Sequence, residues 1–150
     1  MVELNTLLRD VLFFIKNDLT TGVTDPISAK RGNSSKFIMT SYPEREAKYP
    51  LITIKIINYE SLRAGMQTTA MDITLNIEVR VWGRNQKEKD TLFNDVYTRL
   101  RSIQFTSSTG SIDNNLHDFT LVSATEVDES GERGIKSRVG QFTYRFYNIT

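Results

Sequence analysis

The chain contains no cysteine and a single histidine, His117. Without thiols it can form no disulfide, no thiolate nucleophile and no cysteine-based zinc site. One histidine also rules out a two-histidine metal site within one chain. No G-x-S-x-G turn accompanies His117, so a nucleophilic triad has no support. Neither a Walker loop nor a G-x-G-x-x-G fingerprint is present. An excess of charge is missing too: 19 Lys and Arg against 18 Asp and Glu leave a net charge of +1. Whole-molecule attraction to nucleic acid or to an anionic membrane is thereby removed, and only local patches remain. Long apolar runs are lacking. Residues 11–15 form the longest near the start, far short of a membrane span or a signal core, and Met1-Val2-Glu3 supplies no basic flank. Asp128, Glu129 and Glu132 cluster, but in a glycine-containing turn without the alternating oxygen ligands of a calcium loop. The chain is therefore expected to have no enzymatic activity, no catalytic residues, no metal and no cofactor.

What the sequence does contain is strongest between residues 71 and 82. Met71, Ile73, Leu75, Ile77, Val79 and Val81 alternate with Asp72, Thr74, Asn76, Glu78 and Arg80. Successive side chains on a strand point to opposite faces, so this pattern predicts a long strand with one buried and one wet face. Trp82 places a large aromatic on the polar side, and Gly83 ends the strand.

The remaining elements follow from the same periodicities. Leu4, Leu7, Leu8, Val11, Leu12, Ile15 and Leu19 are spaced by three and four, which predicts an amphipathic helix stopping near Gly22. Residues 20–35 read as an open loop, rich in Gly, Ser and Thr, expected to be mobile in the free subunit. Residues 37–40 and 51–59 read as strands, with Ile52, Ile54 and Ile56 on one face and Leu51, Ile57 and Tyr59 on the other. The second of these is expected to pair with the long strand as an antiparallel hairpin. Asn85 and Glu88 have capping-box spacing, and Leu92, Phe93, Val96, Tyr97 and Leu100 form the stripe of a second helix ending near Ser102. Asp95 and Arg99 are placed for an ion pair along it. After a second mobile loop over residues 106–117 come strands at 119–127 and 135–147. Strands in runs predict an α+β fold: one domain over residues 1–150, a mainly antiparallel sheet of four to five strands, and two helices packed on one face.

Two sets of surface residues stand out. Lys30, Arg31 and Lys36 form a small basic patch on the first loop, suited to phosphate or to a neighbouring chain, without the interleaved aromatics that would stack bases. Tyr59, Arg63 and Trp82 are expected on or beside the outer face of the hairpin, where exposed aromatics anchor partners. An ordinary solvated loop and plain cross-strand packing are the alternatives.

The run Ile77-Glu78-Val79-Arg80-Val81-Trp82-Gly83-Arg84-Asn85, followed by its capped helix, resembles a pattern of the tail-completion or tail-terminator family of long-tailed viruses. An N-terminal amphipathic helix, a Tyr49-Pro50 element leading into a strand, and a terminal strand pair occur in the same order. The loops at 20–35 and 106–117 depart from the pattern in length. The resemblance implies a homo-oligomeric ring, usually of six subunits, on the last ring of the tail tube. Such a ring stops tube growth and docks to the filled head, while double-stranded DNA passes through it with non-specific contact. Its partners would be the tail tube protein and the head-completion or connector proteins, with no membrane involved, and its location the virion after assembly in the host cytoplasm. A head-closure or adaptor ring of the neck, and a cellular α+β module binding peptide or nucleic acid, are the other readings.

Overall fold

In the computed structural model, the residues described are 4–31, 36–40, 48–63, 71–103, 116–128 and 136–148. The elements run α1 (Leu4–Gly22), α2 (Ser28–Arg31), β1 (Ile38–Met39), β2 (Leu51–Arg63), β3 (Met71–Gly83), α3 (Gln86–Ile103), β4 (Leu116–Asp128) and β5 (Lys136–Asn148). The five strands form one sheet in the order β1-β2-β3-β5-β4. Short β1 runs parallel to β2; every other pair is antiparallel. The fold is α+β.

The sheet takes its two faces from β3, which is paired along its whole length to β2 on one side and β5 on the other. Its inward residues Ile73, Leu75, Ile77, Val79 and Val81 are buried. They join Ile52 and Ile54 of β2 and Phe142, Tyr144 and Phe146 of β5 in one core. The helical stripes close it: Val11, Ile15 and Leu19 from α1, and Leu92, Val96 and Leu100 from α3. Both long helices thus lie on the same face. The opposite face carries Thr53, Lys55, Thr74, Asn76, Glu78, Gln141 and Thr143.

β2 departs from simple alternation. Ile56 pairs with Ile77 and Asn58 with Asn76, so Ile57 is an extra residue at a bulge. A one-residue insertion moves every later side chain to the other face. Tyr59, Ser61 and Arg63 therefore sit opposite Leu75, Ile73 and Met71, on the helix side. The strand also runs to Arg63, beyond the predicted end at residue 59.

The connection from β3 to α3 depends on Gly83. A Cβ there would lie 2.7 Å from the Lys89 backbone nitrogen, so the strand end and the first helical turn approach as closely as backbone allows. Asn85 caps α3 as predicted, its Oδ1 accepting from the Glu88 N–H at 2.9 Å. Glu88 reaches one residue further back than the motif predicts: its Oε1 accepts from the Arg84 N–H at 3.1 Å and also holds the Arg84 side chain. The predicted Asp95–Arg99 pair is replaced by a bidentate pair between Arg99 and Asp18, 2.9 Å at both contacts. A partner on a packed neighbouring helix fixes the guanidinium fork where an exposed i−4 carboxylate would not. Tyr144 donates its hydroxyl to the Leu100 carbonyl at 2.8 Å, tying β5 to the end of α3.

Residues 20–31 of the first predicted loop carry the end of α1 and α2, and residues 32–35 lie outside the described residues. α1 continues to Gly22, Val23 is buried, and the Ile27 N–H donates to Asp25 Oδ1 at 3.0 Å ahead of α2. β4 begins at Leu116, so residues 116 and 117 belong to a strand. Residues 106–115 of the second predicted loop and the turn at 129–134 lie outside the described residues. Ile77→Asp puts a carboxylate where the side chain is fully enclosed and is expected to cost several kcal/mol. Thermal unfolding followed by circular dichroism checks it; a wild-type melting temperature would show the inward face misassigned.

Candidate assembly surfaces

Trp82 lies on the sheet face predicted for it, but it is only 8% exposed. Its ring meets Tyr49 at a centroid distance of 6.2 Å, and the Arg80 guanidinium sits 5.0 Å from its centroid. Leu51, its cross-strand partner, is fully buried. Trp82 thus fastens the Tyr49-Pro50 element over the start of β2, and the expectation of an outward anchor is corrected. Its neighbour Arg80 supplies the reason, since a guanidinium over an indole face covers apolar area while keeping its own charge partly solvated.

Tyr59 and Arg63 are exposed, as predicted, but the bulge at Ile57 puts them on the helix side. They share no patch with Trp82. Tyr59 lines an apolar groove between α1 and β2, together with Leu8, Leu12, Ile56 and Ile57.

The basic patch divides in the same way. Lys30 and Lys36 are exposed, whereas Arg31 is 4% exposed. Its guanidinium binds both oxygens of Asp25, at 2.6 and 2.9 Å, and donates to the carbonyls of Lys48 at 2.7 Å and Pro50 at 2.5 Å. It stacks over Phe37 at 5.1 Å. Arg31 is a strut between α2 and the start of β2, and the expectation that it reaches a neighbour or DNA is corrected. A planar fork with several donors suits that role, which one ammonium could not fill. Burial raises the Asp25 carboxyl, and the Arg31 hydrogen bonds and the Ile27 amide outweigh it, leaving the group below its ordinary pKa.

Two further features lie outside the residues singled out from the sequence. Lys89 is fully buried, with its ammonium paired to Glu126 of β4 and 3.6 Å from Asp90. Its position three residues before Leu92 extends the apolar stripe, and that spacing carries the signal. The second is the exposed apolar rim: Ile57, Leu62 at 70% exposure, Leu121, and Val122 at 58%. Ile57 and Leu62 lie on the part of β2 that β1 leaves uncovered, and Leu121 and Val122 on the outer strand β4. Among the described residues, 54–63 of β2 pair with β3 alone, and β4 pairs with β5 alone. β4 also carries two register irregularities, around residues 118–119 and at 122. The polar face between the edges is braced by ion pairs, Lys55 to Glu78 at 3.0 Å and Arg145 to Asp118 at 3.1 Å and to Asp72.

Among the described residues, no three His, Cys, Asp or Glu side chains gather as a metal site would require. The side chain of His117 lies outside those described. No described helix is long and apolar enough to cross a membrane.

The fold is shared with a chain of a virion. That chain belongs to the virion of a native gene transfer agent particle; the two superimpose with a TM-score of 0.52 over 89% of this chain and 92% of the other. At 11% identity the likeness is one of fold. No protein-family model and no curated protein matches the sequence.

Removing Arg31 leaves the Asp25 carboxylate and two carbonyls without their donor. Arg31→Ala is expected to cost about 3–5 kcal/mol, while Lys30→Ala stays within about 0.5 kcal/mol of wild type. Because the folded Asp25 pKa is depressed, its contribution is present above the unfolded value and is lost as pH falls below about 4. Urea midpoints at neutral and acidic pH check both: the gap between Arg31→Ala and wild type should narrow in acid.

Proposed function

We propose that this chain is a structural protein of a virion, a single domain that assembles into a homo-oligomeric ring at the head–tail junction. In this reading the ring, six-membered as the tail-terminator resemblance implies, ends the tail tube and joins it to the head. The observation that carries it is the near full-length match in fold to a chain that is itself part of a virion. The order of helix, Tyr-Pro element, alternating strand with Trp82-Gly83-Arg84, capped helix and strand pair supports the finer assignment.

The surfaces suit a part that must touch several neighbours at once. A subunit in such a ring needs contacts on both flanks, to the tube below and to the head connector above. The two sheet edges, the braced polar face and the α1–β2 groove are separate surfaces of one small fold. Tyr59 and Arg63 are assigned to subunit contact. Lys30 and Lys36 are assigned to a neighbour or to passing double-stranded DNA, where lysines at a phosphate backbone act without sequence preference. Trp82 and Arg31 act from inside, holding the start of β2 in place. The role is non-enzymatic, in the particle and, during assembly, in the host cytoplasm.

Deleting the gene from the producing virus and imaging the lysate by electron microscopy tests this. Filled heads separated from tails of irregular or excess length are expected, with normal particles restored by the gene in trans. Intact particles without it would overturn the reading, and missing tails beside normal heads would favour a different tail component.

A further inference from the structure

The two open edges of the sheet differ in chemistry. The β2 edge, with the adjoining face of α1, carries Arg9, Lys55, Arg63 and Glu60, with Arg9 paired to Asp10 and Lys55 to Glu78. The β4 edge carries no Lys or Arg, and its Asp118 and Glu126 are paired to Arg145 and Lys89 of the same subunit. Each presents apolar side chains to solvent: Ile57, Tyr59 and Leu62 on one, Leu121 and Val122 on the other. Long edges of this kind are templates for another strand. One edge has an apolar groove and the other projecting aliphatics, so they complement each other in shape better than either complements itself.

Strand direction adds a second constraint. Between the edges lie β2, β3, β5 and β4, each antiparallel to the next. With four alternating strands, β2 and β4 point in opposite senses. Copies related by rotation about an axis along the strands all have β2 pointing the same way. The β4 of one copy then meets the β2 of the next antiparallel, and the alternation continues across the joint with the helices on one common face. An odd number of strands would force a parallel joint. β1 pairs with Thr53 and Ile52 and so blocks the first part of β2, leaving, among the described residues of that strand, 54–63 open to a partner strand.

From these observations we propose that the β4 edge of one subunit pairs antiparallel with residues 54–63 of β2 in the next, continuing the sheet around the ring. Leu121 and Val122 enter the groove formed by Leu8, Leu12, Ile57 and Tyr59 of the neighbour. The joint is heterologous, with different surfaces on its two sides, which is the geometry that closes into a ring when the rotation permits. Main-chain hydrogen bonds hold it, and the bulges at residues 57 and 122 limit which registers fit. The proposal rests on the ring reading above and adds the joint itself.

The absence of cysteine from the sequence makes the test direct. Tyr59 and the β4 positions Leu121 and Ala124 all lie on the helix-side face, at exposed sites. Tyr59→Cys is combined in one chain with Leu121→Cys or with Ala124→Cys, and the assembly is treated with a short bismaleimide. Melting curves confirm folding, and light scattering reports the mass before treatment. The proposal predicts a ladder of covalent multimers from at least one double variant, ending at the ring number, and monomers from each single variant. An assembly that forms yet gives no ladder from either double variant overturns the joint while the ring stands. Covalent dimers from a single variant likewise overturn it, because they show like edges facing. A chain that stays monomeric by mass overturns both the joint and the ring.

Discussion

The constraint on which the structure depends is the two-residue period of β3. Its inward aliphatics are all enclosed, and both flanking strands take their facing from it through full-length pairing. A shift of one residue would turn five apolar side chains to water and five polar ones into the core, which no helix packing could offset. The helices are secondary to this. Their stripes fill the space above Ile73 to Val81, and Arg99–Asp18 and Tyr144–Leu100 fix how they lie. Gly83 then sets how soon α3 can begin.

That period explains both what was legible in the sequence and what was not. β3, the capped α3, the α1 stripe and the antiparallel hairpin are period signals, and they appear where the pattern puts them. Strict alternation through Ile57 would put Tyr59 on the polar face, and the bulge there turns it to the helix side. A bulge has no composition of its own here: Ile57 is as good a strand residue as its neighbours. The extension of β2 to Arg63 was hidden for a related reason. Residues 60–63 are exposed on a sheet edge, and an edge without a buried face shows no alternation.

Arg31 and Trp82 show the limit of reading a side chain from its local surroundings. Arg31 stands among Gly, Ser and Lys and looks solvated, yet its partners are Asp25, Lys48 and Pro50, the last two 17 and 19 residues away. Trp82 stands on a polar face and looks exposed, yet Tyr49, Leu51 and Arg80 enclose it. In each case the residue is large, and large side chains seek contacts that sequence spacing does not reveal. Lys89 is the converse, a charge at an apolar spacing whose partner, Glu126, comes from a distant strand. The surfaces proposed for assembly are consequently not the most conspicuous residues but the sheet edges, where pairing stops.

The proposed closed ring is drawn from a sheet with two open edge lengths and from a likeness in fold to a virion chain. Native mass spectrometry of the purified protein tests that account most directly. A single dominant species at one fixed multiple of the chain mass, unchanged over a tenfold range of concentration, is the predicted result. A monomer, a two-fold dimer or an open-ended series growing with concentration would contradict it.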